Sequence, residues 1–295
     1  MSRLGPALLW LLWRLLPRAA LAGCGSALGE LIFHLAPSRR RIARTNLRLC
    51  FPDRSEADIR RIIRAQFRAL GRVTLLEAVS WWGSRAEVEA LTRFEGMEHM
   101  TPHLGQPVIW LAPHFLGLNI GGVRVTAEFA PIVSLYSRIK NPRLDRLMLH
   151  ARTRFEHGGR HSLMYSRQDG IKPVVKAIRQ GLPFYYLPDM DYGARDAVFA
   201  PFFGVPAATI TGLPRLARAT GAVVIPAITR QEGGGFVTRF YPAWERYPTD
   251  DLDADVRRMN AFIEDRIREM PEQYFWLHKR FKTRPPGAPS LYEET

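Results

Sequence analysis

VIWLAPHFLGLN, residues 108–119, carries the clearest strand-to-helix pattern in the chain. Val108–Ala112 is a short apolar run that reads as a buried strand, and it leads through Pro113–His114 into a helix beginning at about Gly117. In open α/β sheets, ligands gather beyond the carboxyl ends of strands, which is where this reading puts His114. Working outward, the same texture repeats. Ile132–Tyr136, Phe184–Leu187, Ala222–Ile228 and Phe236–Tyr241 are further candidate strands. Helical patterns fall at about 117–129, 142–155, 170–180, 211–220 and 253–269. Such alternation predicts an α/β fold: a single domain with a mixed, largely parallel sheet covered by helices.

Upstream, residues 55–80 read as one helix. Ser55 is a plausible N-cap, and Ile59, Ile62, Ile63, Phe67, Leu70, Val73 and Leu76 recur at helical spacing. Its polar face carries Arg60, Arg61, Arg64, Arg68 and Arg72. Before it, residues 4–35 are strongly apolar, but Arg14, Pro17, Arg18, Glu30 and His34 break the run. A spanning helix needs about 20 uninterrupted apolar residues. The segment therefore predicts an N-terminal hydrophobic helical anchor lying in the interface, with Trp10 and Trp13 at headgroup level and Arg14 and Arg18 toward lipid phosphates. No small-residue cleavage site stands out, which disfavours a signal peptide. The expected division is a membrane-associating segment at 1–36 and a catalytic domain at 37–295.

The chain carries a net charge of +14, and only five of its 42 basic residues are lysines. Arginine's planar fork suits phosphates and carboxylates, so nucleic acid, an anionic bilayer or an acidic carrier protein would match it. The greasy N-terminus favours the bilayer and leaves nucleic acid last. Cys24 and Cys50 form neither a disulfide framework nor a zinc spacing, and the main body reads as cytoplasmic.

The residues suited to chemistry are few. A neutral imidazole is the natural base for a hydroxyl nucleophile, which makes His114 the first candidate, with Asn119 five residues on. In YYLPDMDYG, residues 185–193, a strand delivers Asp189 and Asp191 to a turn. The two carboxylates would point the same way if the strand continued, as in the D-x-D metal motif of glycosyltransferases, or they could be plain turn residues. Between these segments lie Arg138, Arg152, Arg154 and Arg167. The basic run HKRFKTRP, 278–285, sits beside aromatics expected to pack in the core. A P-loop, a G-x-S-x-G elbow and an H-E-x-x-H pattern are all missing from the sequence.

Taken in order, APHFLGLN (112–119), KNPRLDRLMLHAR (140–152), LPDMDYG (187–193), VFAPFFGVPAATITGLPRLARATGAVVIP (198–226) and PEQYFWLHKRFKTRPPG (271–287) resemble the late (secondary) acyltransferases of lipid A biosynthesis, within the lysophospholipid acyltransferase superfamily. The resemblance implies an inner-membrane, cytoplasmic-face enzyme of lipopolysaccharide biosynthesis. It would take acyl chains from acyl carrier protein and pass them to a phosphorylated glycolipid acceptor without metal or other cofactor. It also implies that His114 is the base of an H-x4-[DE] motif, with Arg152 and Asp189 as the other characteristic residues and Arg138, Arg154, Arg167 and Asp191 around the substrate. Asn119 stands where that motif has its acid. An amide can hold the imidazole tautomer but cannot stabilise an imidazolium by charge, so Asp189 becomes the candidate substitute. On this reading Asn119→Asp should raise activity. A weakly active or non-catalytic membrane-bound relative and a metal-dependent glycosyltransferase are the competing expectations.

Overall fold

A computed structural model describes residues 4–292. Four helices come first: α1 (Leu4–Leu15), α2 (Arg18–Leu35), α3 (Pro37–Cys50) and α4 (Glu56–Trp82), followed by the short α5 (Arg85–Leu91) and strand β1 (Thr92–Glu95). Then β2 (Val108–Leu111), α6 (Leu118–Phe129), β3 (Val133–Tyr136), α7 (Pro142–Thr153), β4 (Glu156–His157), β5 (Arg160–His161), β6 (Leu163–Ser166), α8 (Lys172–Arg179) and β7 (Phe184–Tyr186) lead into a hairpin of β8 (Ala197–Phe202) and β9 (Val205–Ile210). The chain closes with α9 (Gly212–Thr220), β10 (Val223–Glu232), β11 (Gly235–Phe240) and α10 (Leu252–Glu269). Seven strands form one sheet in the order β1-β11-β10-β2-β7-β3-β6, parallel at every pairing except β10 with β11. This is the expected single α/β domain with a mixed, mostly parallel sheet.

Every residue of β2 is buried, as a central parallel strand covered on both faces requires. Its register with β7 pairs Ile109 with Phe184, Trp110 with Tyr185 and Leu111 with Tyr186. The expected strands are all present. β10 runs four residues past Ile228 because its far half pairs with β11. The edge strands β1 and β6 and the hairpin β8–β9 were not foreseen. In the hairpin Pro201 lies opposite Pro206, a pairing that only a two-stranded ribbon tolerates.

Ser55 caps α4, its hydroxyl accepting from the Asp58 amide at 3.1 Å. α2 packs on α4 through glycine. A Cβ at Gly71 would stand 2.0 Å from the Gly25 carbonyl oxygen, and one at Gly29 would stand 2.1 Å from that of Phe67. The two backbones therefore touch with no side chain between them. Part of the basic face of α4 is spent on this contact: Arg64 pairs with Glu30 at 2.7 Å and Arg72 donates to Ser26 at 3.2 Å.

No single described helix is long and apolar enough to cross a membrane; α2 and α3 qualify only as a pair bent by 91°. The polar breaks in α2 have protein partners, since Glu30 also meets His34. Arg18 donates to the Ala90 carbonyl at 2.9 Å, and Trp13 stacks on Trp82, so both have protein partners although Arg18 is exposed and Trp13 half-buried. Leu8, Trp10, Leu11 and Leu15 of α1, with Leu31, Ile32 and Leu35 of α2, are exposed.

Gly71→Leu should force α2 off α4. The expected loss is about 3 kcal/mol, the upper range for overpacking, because the colliding atoms are backbone. Thermal unfolding of the detergent-purified protein measures it, and an unchanged midpoint contradicts the close approach.

Candidate active site

Leu111 and Tyr186 are register partners, and each chain runs three residues further to reach His114 and Asp189. Parallel pairing with equal overruns brings the two side chains together although 75 positions separate them. His114 Nδ1 lies 2.7 Å from Asp189 Oδ1, and the His114 backbone N–H donates to Oδ2 at 2.8 Å. The Tyr274 hydroxyl donates to the same Oδ2 at 3.0 Å. Asp189 is 1% exposed, whereas the imidazole is 22% exposed. Burial alone would push the Asp189 carboxyl up, but the charge and hydrogen bonds of His114 and the Tyr274 hydroxyl hold it below its ordinary value. An ionised carboxylate can only accept, so Nδ1 is the protonated nitrogen of the neutral ring and Nε2 the one with the lone pair.

The tail builds the other wall. Residues 273–275 run antiparallel to 114–116, with Leu116 N–H donating to Gln273 O at 2.8 Å and Phe275 N–H to His114 O at 3.0 Å. Two buried amides fasten this tail to the first helices. Gln66 of α4 donates to Tyr274 O at 2.6 Å, and Asn46 of α3 donates to both Trp276 O and His278 O at 2.7 Å.

Asn119 does not join the His114–Asp189 pair. It stands in the first turn of α6, where its Nδ2 donates to Glu77 Oε2 at 2.7 Å and its Oδ1 accepts from Arg152 Nε at 2.8 Å. Glu77 is buried, and desolvation raises its carboxyl to about 7, against the opposing pull of Asn119 and Arg152. Sequence reading missed Glu77. The signal was available: position 77 continues the apolar stripe of α4 four residues beyond Val73, and an acid there has no water to face.

The remaining expectations divide. Arg167 covers the Tyr192 ring at 3.9 Å and so flanks the Asp189 loop, whereas Arg138 is exposed and approaches Asp169 at 3.9 Å. Arg154 caps the end of α4, donating to Ser80 O at 3.2 Å and Val79 O at 3.4 Å, and so fastens the fold there. Asp191 is likewise turned to structure. β7 ends at Tyr186, so the two aspartates do not share a face. Asp191 accepts from Gly193 N at 2.9 Å and from Thr283 N and Oγ1 at 2.6 and 2.8 Å. No group of three His, Cys, Asp or Glu side chains among the described residues is placed to hold a metal. In the basic tail, Arg280 is buried and donates to Ala208 O and Thr209 Oγ1, and Arg284 donates to Pro206 O.

His278 completes the Asp191 turn by accepting the Asp191 amide on Nε2 at 2.9 Å. Burial, helped by the Arg280 charge, lowers its imidazole from the ordinary 6.5 to about 4. A group that binds its proton more weakly when folded contributes stability in full above 6.5, and this is lost as pH falls toward 4. His278→Gln keeps an acceptor without that titration. Thermal midpoints of the parent should therefore fall more steeply than those of the variant between pH 6.5 and 4, and parallel curves would contradict this.

The profile described as "Bacterial lipid A biosynthesis acyltransferase" matches residues 4–283. The lipid A biosynthesis lauroyltransferase of Escherichia coli (strain K12) is 35% identical over 98% of this chain and 94% of its own length. The palmitoleoyltransferase of the same organism is 32% identical over 98% and 93%, and its myristoyltransferase 33% over 90% and 82%. With the His114 and Asp189 segments and the long 198–226 stretch inside the family match, and relatives at 32–35% identity over nearly the whole chain, the chain belongs to the bacterial lipid A biosynthesis acyltransferase family.

Proposed function

We propose that the protein transfers a fatty acyl chain from an acyl carrier protein thioester to a hydroxyl of a phosphorylated lipid A precursor, with His114 as general base. The observation that carries this reading is the hydrogen bond between His114 Nδ1 and buried Asp189 at 2.7 Å. It fixes the tautomer, supplies the charge that an imidazolium needs, and turns a lone pair on Nε2 to the open side of the ring. Nε2 takes the acceptor's hydroxyl proton as the oxygen attacks the thioester carbonyl. The tetrahedral adduct then collapses, the carbon–sulfur bond breaks, and the departing thiolate receives the proton from Nε2. Arg152, or backbone N–H groups near the start of α6, meet the oxyanion.

The exposed apolar side chains of α1 and α2 support attachment to a bilayer surface, with Arg40 and Arg41 following where anionic headgroups would lie, while Arg39 and Arg44 are engaged with Leu277 O and Glu56. The cytoplasmic face of the inner membrane, where acyl carrier protein and the growing lipid meet, is the location this reading requires. The names of the relatives, lauroyl, palmitoleoyl and myristoyl transferases, support a saturated or monounsaturated chain of that class as the donor.

The experiment uses purified protein, a labelled lauroyl thioester of acyl carrier protein and the phosphorylated glucosamine disaccharide lipid. His114→Ala should lower transfer by about 10²–10⁴-fold, the range that general-base catalysis supplies. Asp189→Asn should fall in the same range by removing the charge that supports the imidazolium. Wild-type transfer from His114→Ala rules the base out. Asn119→Asp is now expected to lower rather than raise activity, since it sets a second carboxylate 2.7 Å from that of Glu77.

A further inference from the structure

Ala151 is the one fully buried residue of α7 among those described, and the end of the helix is fastened to α4 by Arg154. Arg152, in its last turn, adds a polar tie of its own. This is the chain Glu77–Asn119–Arg152, which links α4, the first turn of α6 and α7 by bonds of 2.7 and 2.8 Å. We propose that Glu77 is the positioning residue of this site: the acid that H-x4-[DE] spacing would put at 119 has been moved to α4, and it acts on Arg152 through the Asn119 amide. The proposal rests on the acyl-transfer reading above and extends it.

An amide is the side chain such a relay needs. It donates on one side and accepts on the other, so it joins a carboxylate to a guanidinium without carrying charge itself. A carboxylate at 119 would accept equally well from Arg152 but would oppose Glu77 lone pair to lone pair. The asparagine and the buried glutamate are thus complementary, and neither makes sense in this interior alone. A buried carboxylate without a partner is expensive, and Glu77 has its partner in Asn119, with the Arg152 charge beyond it. The relay engages Arg152 through Nε, and on the acyl-transfer reading the Nη edge is the one that would meet substrate oxygens. What Glu77 contributes in its ionised form is a compensating charge behind the arginine, and in either form a fixed direction for the Asn119 amide that holds it.

The alternative is that the three residues only hold α7 to the body. An isosteric charge swap separates the two. Glu77→Gln keeps a carbonyl to accept from Asn119 but removes the charge. Asn119→Asp adds a charge next to the one already present. The double variant Glu77→Gln/Asn119→Asp returns the count to one acid and one amide, with the acid now directly against Arg152. With the lauroyl carrier thioester and the disaccharide lipid, each single variant should lose kcat by about 10-fold or more with little change in KM. That lies short of the about 10²–10³ that deleting an oxyanion donor costs. The double variant should recover to within about threefold of the parent. Thermal midpoints are measured on the same samples, so that an activity loss without a stability loss is read as positioning.

Wild-type kcat in Glu77→Gln overturns the proposal. So does a double variant that melts like the parent yet is no faster than the slower single one. If Glu77→Gln does not fold, the double variant decides alone: folded and active supports the relay, folded and inactive overturns it. If the double variant does not fold either, Glu77→Asp decides, because it keeps the charge but withdraws it from the amide. A folded Glu77→Asp with parental kcat overturns positioning, and a tenfold loss supports it. His114→Ala in the same assay keeps the two ideas apart. Its inactivity beside a fully active Glu77→Gln sinks the relay only, whereas its activity sinks the base whatever Glu77 does.

Discussion

A carboxylate shut away from water must be satisfied by the protein that surrounds it, and Asp189 is satisfied from two distant segments at once. The segment after β2 gives it a ring nitrogen and a backbone amide, and the C-terminal tail gives it the Tyr274 hydroxyl. Charge-assisted hydrogen bonds of this kind contribute about 1.5–3 kcal/mol each, and losing one leaves the buried charge uncovered. The site and the closure of the fold are therefore one object. The tail cannot leave without taking a donor from Asp189, and the imidazole cannot turn without unpairing it.

Asn46 and Gln66 follow the same logic. Each is fully buried on an otherwise apolar helix face, and each spends its amide on carbonyls of residues 274–278. Apolar side chains in their place would pack but would leave those carbonyls without partners. The polar interior of this protein is concentrated where irregular backbone, not helix or strand, lies against the core.

How much could be read beforehand depended on whether the information was local. β2, β7 and the first half of β10 are central and carry apolar or aromatic side chains throughout, so they announce themselves. β1 (TRFE) is an edge strand with two charged residues, and β8 and β9 carry prolines that argue against strands. His114 and Asp189 were each visible as a polar residue just past a strand. Their meeting was not, because it depends on β2 and β7 being neighbours in the sheet, and strand order is not written in any local pattern. Asn119 invited the opposite error. Read by spacing alone it looked like the missing support for His114, whereas α6 begins beside it and turns its amide toward α4. Glu77 was passed over inside a helix whose apolar repeat was otherwise read correctly.

The contact between α2 and α4 bears on how such a site is held. α4 is 27 residues long, about 40 Å at the rise of an α-helix, and it carries Gly71 and Glu77 less than two turns apart. With backbone on backbone at Gly25, Gly29 and Gly71, there is no compressible layer of side chains in which one helix could slide over the other. Glu77 thus stands on the same helix as that rigid seam, and the amide and arginine bonded to it take their place from a part of the fold that has no slack.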